Sequence, residues 1–153
     1  MKYSLMLFIL LTLIFLGVVL FFLLGRSRET VISSLILRGE RFEVFLADDI
    51  LKQAQGLSGR SSIDSHEGML FTFSGSSTRT FWMKGMLFSI DIIWIQDGAI
   101  VGFERSVSYP GAGESFGELT LYTSLVPVNT VLEVRAGTVE RLGVQIGDVI
   151  EVY

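Results

Sequence analysis

The chain has 153 residues, half of them hydrophobic, with a net charge of −4, no cysteine and a single histidine. That is enough for one domain and an appendage, and it excludes thiol nucleophiles and lipid attachment through cysteine. Nucleic acid is excluded as a partner too: from residue 39 onward eight Lys/Arg stand against fifteen Asp/Glu, a balance that repels a phosphate backbone.

Residues 5–24 read LMLFILLTLIFLGVVLFFLL, twenty residues without a charge. About 20 apolar residues in a helix cross a hydrocarbon core, so residues 1–25 are expected to form a single transmembrane anchor. The run is too long for the core of a cleaved signal peptide, and LLGRSR after it is a poor cleavage site. Arg26, Arg28 and Arg38 outnumber Lys2, which by charge count favours a cytoplasmic C-terminal side. The very short tail before a long apolar run instead looks like a signal anchor. We therefore expect a single-pass membrane protein whose following domain lies outside the cytoplasm. Residues 26–38 are expected as a juxtamembrane connector and 39–153 as one soluble, β-rich domain.

RFEVFL at 41–46 begins as an alternating strand. Asp48 or Asp49 can cap a short helix through Gln55, because an aspartate accepts from the free N–H groups of a first turn. Leu51 and Ala54, with Ile50 or Leu57, would supply its buried face, and Gly56 is placed to end it. MLFTF at 69–73 is a strand with Met69, Phe71 and Phe73 on one face, followed by a polar loop at 74–78. IDIIWI at 90–95 and AIVGF at 99–103 flank Gln96-Asp97-Gly98, a strong hairpin signal. Residues 104–124 read as a Gly/Ser/Tyr-rich connection with a turn at Pro110-Gly111. Strands at 128–134 and 149–152 close the domain, with Gly137, Gly143 and Gly147 as punctuation. Strands without βαβ alternation, plus one short helix, predict a mostly β fold: a small antiparallel sandwich or partly closed barrel.

The chemistry-bearing residues are few. His66, in DSHE at 64–67, lies in what reads as a surface loop. A structural zinc site takes four Cys/His ligands, and no metal or cofactor is expected. No G-x-S-x-G elbow is present, and a Ser61–His66–Asp91 triad has no spacing to recommend it. FWMKGM at 81–86 packs two aromatics, two methionines and a lysine into six residues. Phe81 and Met83 are expected in the core, whereas Trp82 could line a groove with its apolar face and N–H donor. Asp91 stands in an otherwise apolar strand, where an isolated buried charge is very expensive. It needs a cation such as Lys84, an edge or a ligand.

The motifs in running order resemble the prokaryotic family called domain of unknown function 192. They are F-x-V-x-x-A at 42–47, Gly56-Leu57 with Arg60, G-M-L-F-x-F at 68–73, F-W-M-K at 81–84, D-I-I at 91–93, and V-L-E-V-x-A-G…G-V-x-x-G-D within 131–148. The resemblance implies a small, mostly β domain, often exported behind a signal sequence or anchor. No activity, cofactor or substrate is established for the family. The chain departs from the family pattern at Gly85 and Met86, where Asn and Thr are usual, at Ser89 in place of proline, and at Ser58 in place of methionine. Arg60, Lys84 and Asp91 match it.

The expected function is binding of a peptide, an envelope polymer or a small polar molecule in a groove built on Arg60, Trp82, Lys84 and Asp91. Two alternatives come from other classes. One is a hydrolase or lyase using Asp91 with His66 or Glu67 as acid and base. The other is a structural partner of another membrane protein, which would carry an exposed apolar patch.

Overall fold

The structure is a computed structural model and describes Thr12, residues 33–111 and residues 119–153. The expected anchor at 1–25 lies outside the described residues, apart from Thr12. Among the described residues no helix is long and apolar enough to cross a membrane. The unit carrying all the strands runs from residue 31 to Tyr153.

That unit is built from β1 (Ser33–Leu37), β2 (Glu40–Ala47), α1 (Ile50–Gln55), β3 (Glu67–Ser77), β4 (Thr80–Trp82), β5 (Ile90–Gln96), β6 (Ala99–Val107), β7 (Leu121–Thr123), β8 (Val128–Arg135), α2 (Thr138–Leu142) and β9 (Ile150–Val152). Seven strands form one sheet in the order β6-β5-β8-β3-β2-β1-β9, and β4 pairs with β7 in a separate ribbon. The domain therefore starts earlier than residue 39. Leu35 and Leu37 of β1 are fully buried, and the strand pairs with both β2 and β9. What reads as the end of a connector is a strand because its apolar side chains alternate into the core.

All neighbours are antiparallel except β2 and β3, which run parallel because α1 and the segment after it return the chain to the same end. The two outer strands approach one another. Ala99 bridges Val149, Ile150 N–H donates to Gly98 C=O at 2.9 Å and Ile100 N–H to Asp148 C=O at 2.8 Å. The result is a half-barrel, mostly β, as the sequence pattern predicts. Its tight turns carry the expected residues: Asp97 and Gly98 both adopt positive φ, 50° and 81°, the left-handed pair that a two-residue hairpin loop requires.

The central strands bury both faces. On one, Met69, Phe71, Ile90, Ile92, Trp94 and Val131 pack with Phe45, Met83 and Met86. On the other, Leu70, Ile93, Ile95, Leu132 and Val134 pack with Phe42, Val44 and Val139. The β4–β7 ribbon covers part of the first face through Phe81, whose ring lies edge-on to Phe71 at 4.9 Å and to Trp94 at 5.6 Å. Phe81 and Met83 are thus scaffold, as expected, while Trp82 between them points outward at 45% exposure.

The helix at 50–55 forms as read from its cap: Asp49 accepts from Lys52 N–H at 2.9 Å, and Gly56 ends it at φ 53°. Its packing differs from the expectation. No residue of α1 is buried, and Leu51 is 82% exposed. The helix is held instead by Gln53, whose amide donates to the carbonyls of Ala47 at 3.3 Å and Thr72 at 2.9 Å. Hydrogen bonds to carbonyls of two strands replace the apolar face. The polar stretch after Phe73 also differs, since β3 continues to Ser77 across an irregularity in its pairing with β8. A second short helix, α2, follows Gly137.

Candidate functional site

Asp91 is the second residue of β5, opposite Val134 of β8, and is fully buried. Its side chain turns to the face that packs α2. One oxygen accepts from Ser106 N–H at 2.7 Å and Gly137 N–H at 3.2 Å, and the other accepts from Val139 N–H at 2.8 Å. The Gly137 and Val139 groups belong to the start of α2, which has no side-chain cap of its own. The Ser106 group is freed where β6 bulges against β5, with Ser106 at φ 48°. Asp91 is therefore a cap delivered from a distant strand, and it pins helix and bulge to the sheet. The cation or ligand expected beside it is replaced by three backbone donors, which suffices to keep a buried carboxyl.

One residue before Val134 in β8, on the opposite face, is Glu133. In the sheet it stands between Met69 of β3 and Ile92 of β5. It is 5% exposed, and its Oε2 has no hydrogen-bond partner. Burial alone pushes its carboxyl up to about 8, since the charged form loses water and gains nothing in return. Buried polar atoms are nearly always paired, so this orphan is an exception.

The space next to it is an open cavity of about 440 Å³. Gln53 and Ala54 of α1, Gly56, Phe71, Phe81, Arg79, Trp82 and Lys84 line it together with Glu133. Gly56 matters for access. A methyl group on its Cα would stand 3.8 Å from Glu133 Oε2 and 3.6 Å from the Phe71 ring, so the bare backbone leaves the carboxyl and the ring edge open. Arg79 is held by stacking on Phe73 at 3.9 Å and by donating to Gly75 C=O at 2.6 Å. Its Nε is the second buried atom left without a partner.

Of the residues singled out in sequence, Trp82 and Lys84 reach this cavity. Arg60 does not line it, and its guanidinium lies over the Phe45 ring at 4.0 Å. Asp91 is on the other face of the sheet. His66 is exposed, with its Nε2 3.3 Å from Glu40 and its ring against Phe42. Glu67 accepts from Asp64 N–H at 3.0 Å. Asp91, His66 and Glu67 thus do not converge as an acid–base group. Among the described residues no cluster of three or more His, Asp or Glu side chains is placed to hold a metal. An exposed apolar patch of the kind a protein partner would want exists at Leu125, Val126 and Ile146, beside a small depression under Trp94.

The two departures Ser58 and Gly85 meet one another. Gly85 adopts φ 69°, and a Cβ on it would collide with the Ser58 hydroxyl. Gly59 N–H also donates to Gly85 C=O at 3.0 Å. The two residues are therefore one local solution, next to Lys84 in the chain.

The family model of domain of unknown function 192, described as "Uncharacterized ACR", matches residues 34–152. The chain belongs to that family. No curated protein matches it. Two crystal structures are similar. A "putative transcription regulator" from Sinorhizobium meliloti 1021 is 32% identical, with a TM-score of 0.68 over 78% of this chain and 91% of its own. A protein of unknown function from Novosphingobium aromaticivorans DSM 12444 is 27% identical, with a TM-score of 0.67 over 78% of this chain and 82% of its own. Both proteins thus share the fold of this domain.

Proposed function

We propose that this family member is a membrane-anchored binding domain that takes a small polar ligand into the cavity above Glu133, outside the cytoplasm. The observation that carries the reading is the buried, unpartnered Glu133 Oε2 on the floor of an open, aromatic-walled cavity. A convergent polar group in such a cavity is the usual mark of a ligand site. The anchor is proposed from the twenty-residue apolar run at 5–24. The Sinorhizobium protein is described as a putative transcription regulator; for this chain, direct binding of nucleic acid is disfavoured by the acidic balance of the domain.

Both halves of the proposal can be tested in the full-length protein. Because the chain has no cysteine, Ser76→Cys creates one labelling site on an exposed strand end. A membrane-impermeant maleimide is expected to label it in intact spheroplasts, and labelling only after lysis overturns the location. Trp82 reports on the cavity. A panel of sugars, amino acids and short peptides, titrated in nanodiscs, is expected to include one that shifts its emission saturably. Ala54→Phe at the cavity wall is expected to abolish that shift. Emission that no panel member moves, or a shift that survives Ala54→Phe, overturns the ligand site.

A further inference from the structure

The cavity carries two orphans of opposite character. Glu133 Oε2 and Arg79 Nε are both buried without a partner, and both residues line the same space. The charged residues lining it are Arg79, Lys84 and Glu133, so side chains of both signs border the space. We infer, building on the binding role proposed above, that the cavity selects a small zwitterion, with an ammonium group on Glu133 Oε2 and an oxyanion on Arg79 Nε.

The floor argues for the ammonium end. A carboxylate among apolar side chains is unfavourable until a cation joins it. A hydroxyl would satisfy the oxygen without balancing its charge. The other end argues for the oxyanion. Arg79 is fixed by Phe73 and Gly75 before any ligand arrives, so its buried Nε–H meets an acceptor at little entropic cost. Asp48 and Asp49, in the depression on the far side of Arg79, are engaged by Lys52 at 2.7 and 3.3 Å. A simple amine would leave Arg79 Nε without an acceptor, and a simple acid would leave Glu133 Oε2 without a cation, whereas a zwitterion matches both ends.

Binding is measured by calorimetry on the full-length protein in nanodiscs. The probes are the ω-amino acids from glycine to 6-aminohexanoate, phosphoethanolamine, alkylamines and alkyl carboxylates of equal length, and glucose. The expected result is one zwitterion at least tenfold tighter than its amine or acid counterpart. The amino acids and phosphoethanolamine distinguish a carboxylate from a phosphate end. Glu133→Gln is expected to erase the advantage over the plain acid, and Arg79→Lys the advantage over the plain amine. Because the ammonium selects the ionised carboxyl, affinity is expected to fall about tenfold for each pH unit below about 8, and Glu133→Gln is expected to flatten that profile. Glucose bound in an Ala54→Phe-sensitive way, with every zwitterion silent, overturns the zwitterion and leaves the binding site standing. Zwitterion binding unchanged by both Glu133→Gln and Ala54→Phe overturns the assignment to this cavity. Silence from all probes overturns the zwitterion, while the wider panel read by Trp82 decides the site itself.

Discussion

Asp91 and Glu133 are carboxyls on adjacent strands of one sheet, buried to a similar degree, and the fold treats them in opposite ways. The face behind Asp91 is closed. Three backbone donors fill its two oxygens, and a helix packs down over it. The face in front of Glu133 is left open by a glycine, a half-exposed tryptophan and a helix with no buried residue. The difference teaches that burial of an acidic side chain does not identify a site, but its hydrogen-bond account does.

The largest effect should come from the closed face. Asp91→Ala strands three N–H groups in the interior and is expected to cost about 3–5 kcal/mol in urea unfolding followed by Trp94 emission. Asp91→Asn, which keeps the shape, is expected to cost about half as much. A tolerated Asp91→Ala would break the comparison at once.

Glu133 should behave inversely. Replacing it with Leu removes an unsatisfied polar group and is expected to stabilise the domain by about 1–3 kcal/mol while abolishing ligand binding. Its pH dependence has a definite sign. The folded protein keeps a proton that the unfolded chain sheds above the ordinary 4.5, until about 8. More protons bound in the folded state means that stability falls as pH rises through that window. The contribution is flat below and above it. Wild-type stability is therefore expected to drop by roughly 1 kcal/mol per pH unit between those limits, relative to Glu133→Leu, in matched unfolding curves. Parallel curves for the two proteins would show that Glu133 is not held neutral.

Smaller effects test the surroundings of the open face. Gly85→Ala combines a positive φ with a collision at Ser58 and is expected to cost about 1–2 kcal/mol. Adding Ser58→Ala should recover part of that, as a double-mutant cycle would report. Leu51→Ser, on the exposed side of α1, is expected to change stability by less than about 0.5 kcal/mol.

Much of the scaffold is readable without coordinates because its signals are local. The Asp97-Gly98 turn, the Asp49 cap and the alternation of Met69 with Phe71 each depend on residues within a few positions. Trp82 and Met83 also separate to outside and inside as their types suggest. The exposed Leu51 shows where local reading fails, since α1 is held by Gln53 reaching strand carbonyls, and periodicity cannot report that. Asp91 is conspicuous in sequence, but its partners are backbone groups at 106, 137 and 139, and backbone donors carry no residue-type signal. Glu133 is inconspicuous for the opposite reason. In VLEVR at 131–135 a charged residue on an alternating strand looks like a solvent-facing position. Only the strand order, which puts β8 between β3 and β5, gives that position a covered face on both sides.

The pairing of β1 with β9 has a consequence for biosynthesis. Leu35 lies beside Val152, and Tyr153 N–H donates to Ser34 C=O at 2.8 Å. The outer edge of β1 thus waits for nearly the whole domain to be synthesised before it finds its neighbour. Long-range strand pairing of this kind is slow to form, and an unpaired edge invites other strands in the meantime. If residues 5–24 are held in a bilayer while the rest emerges, each nascent chain is kept apart from its siblings during that interval. Tethering would then act as a chaperone for the half-barrel as well as an address.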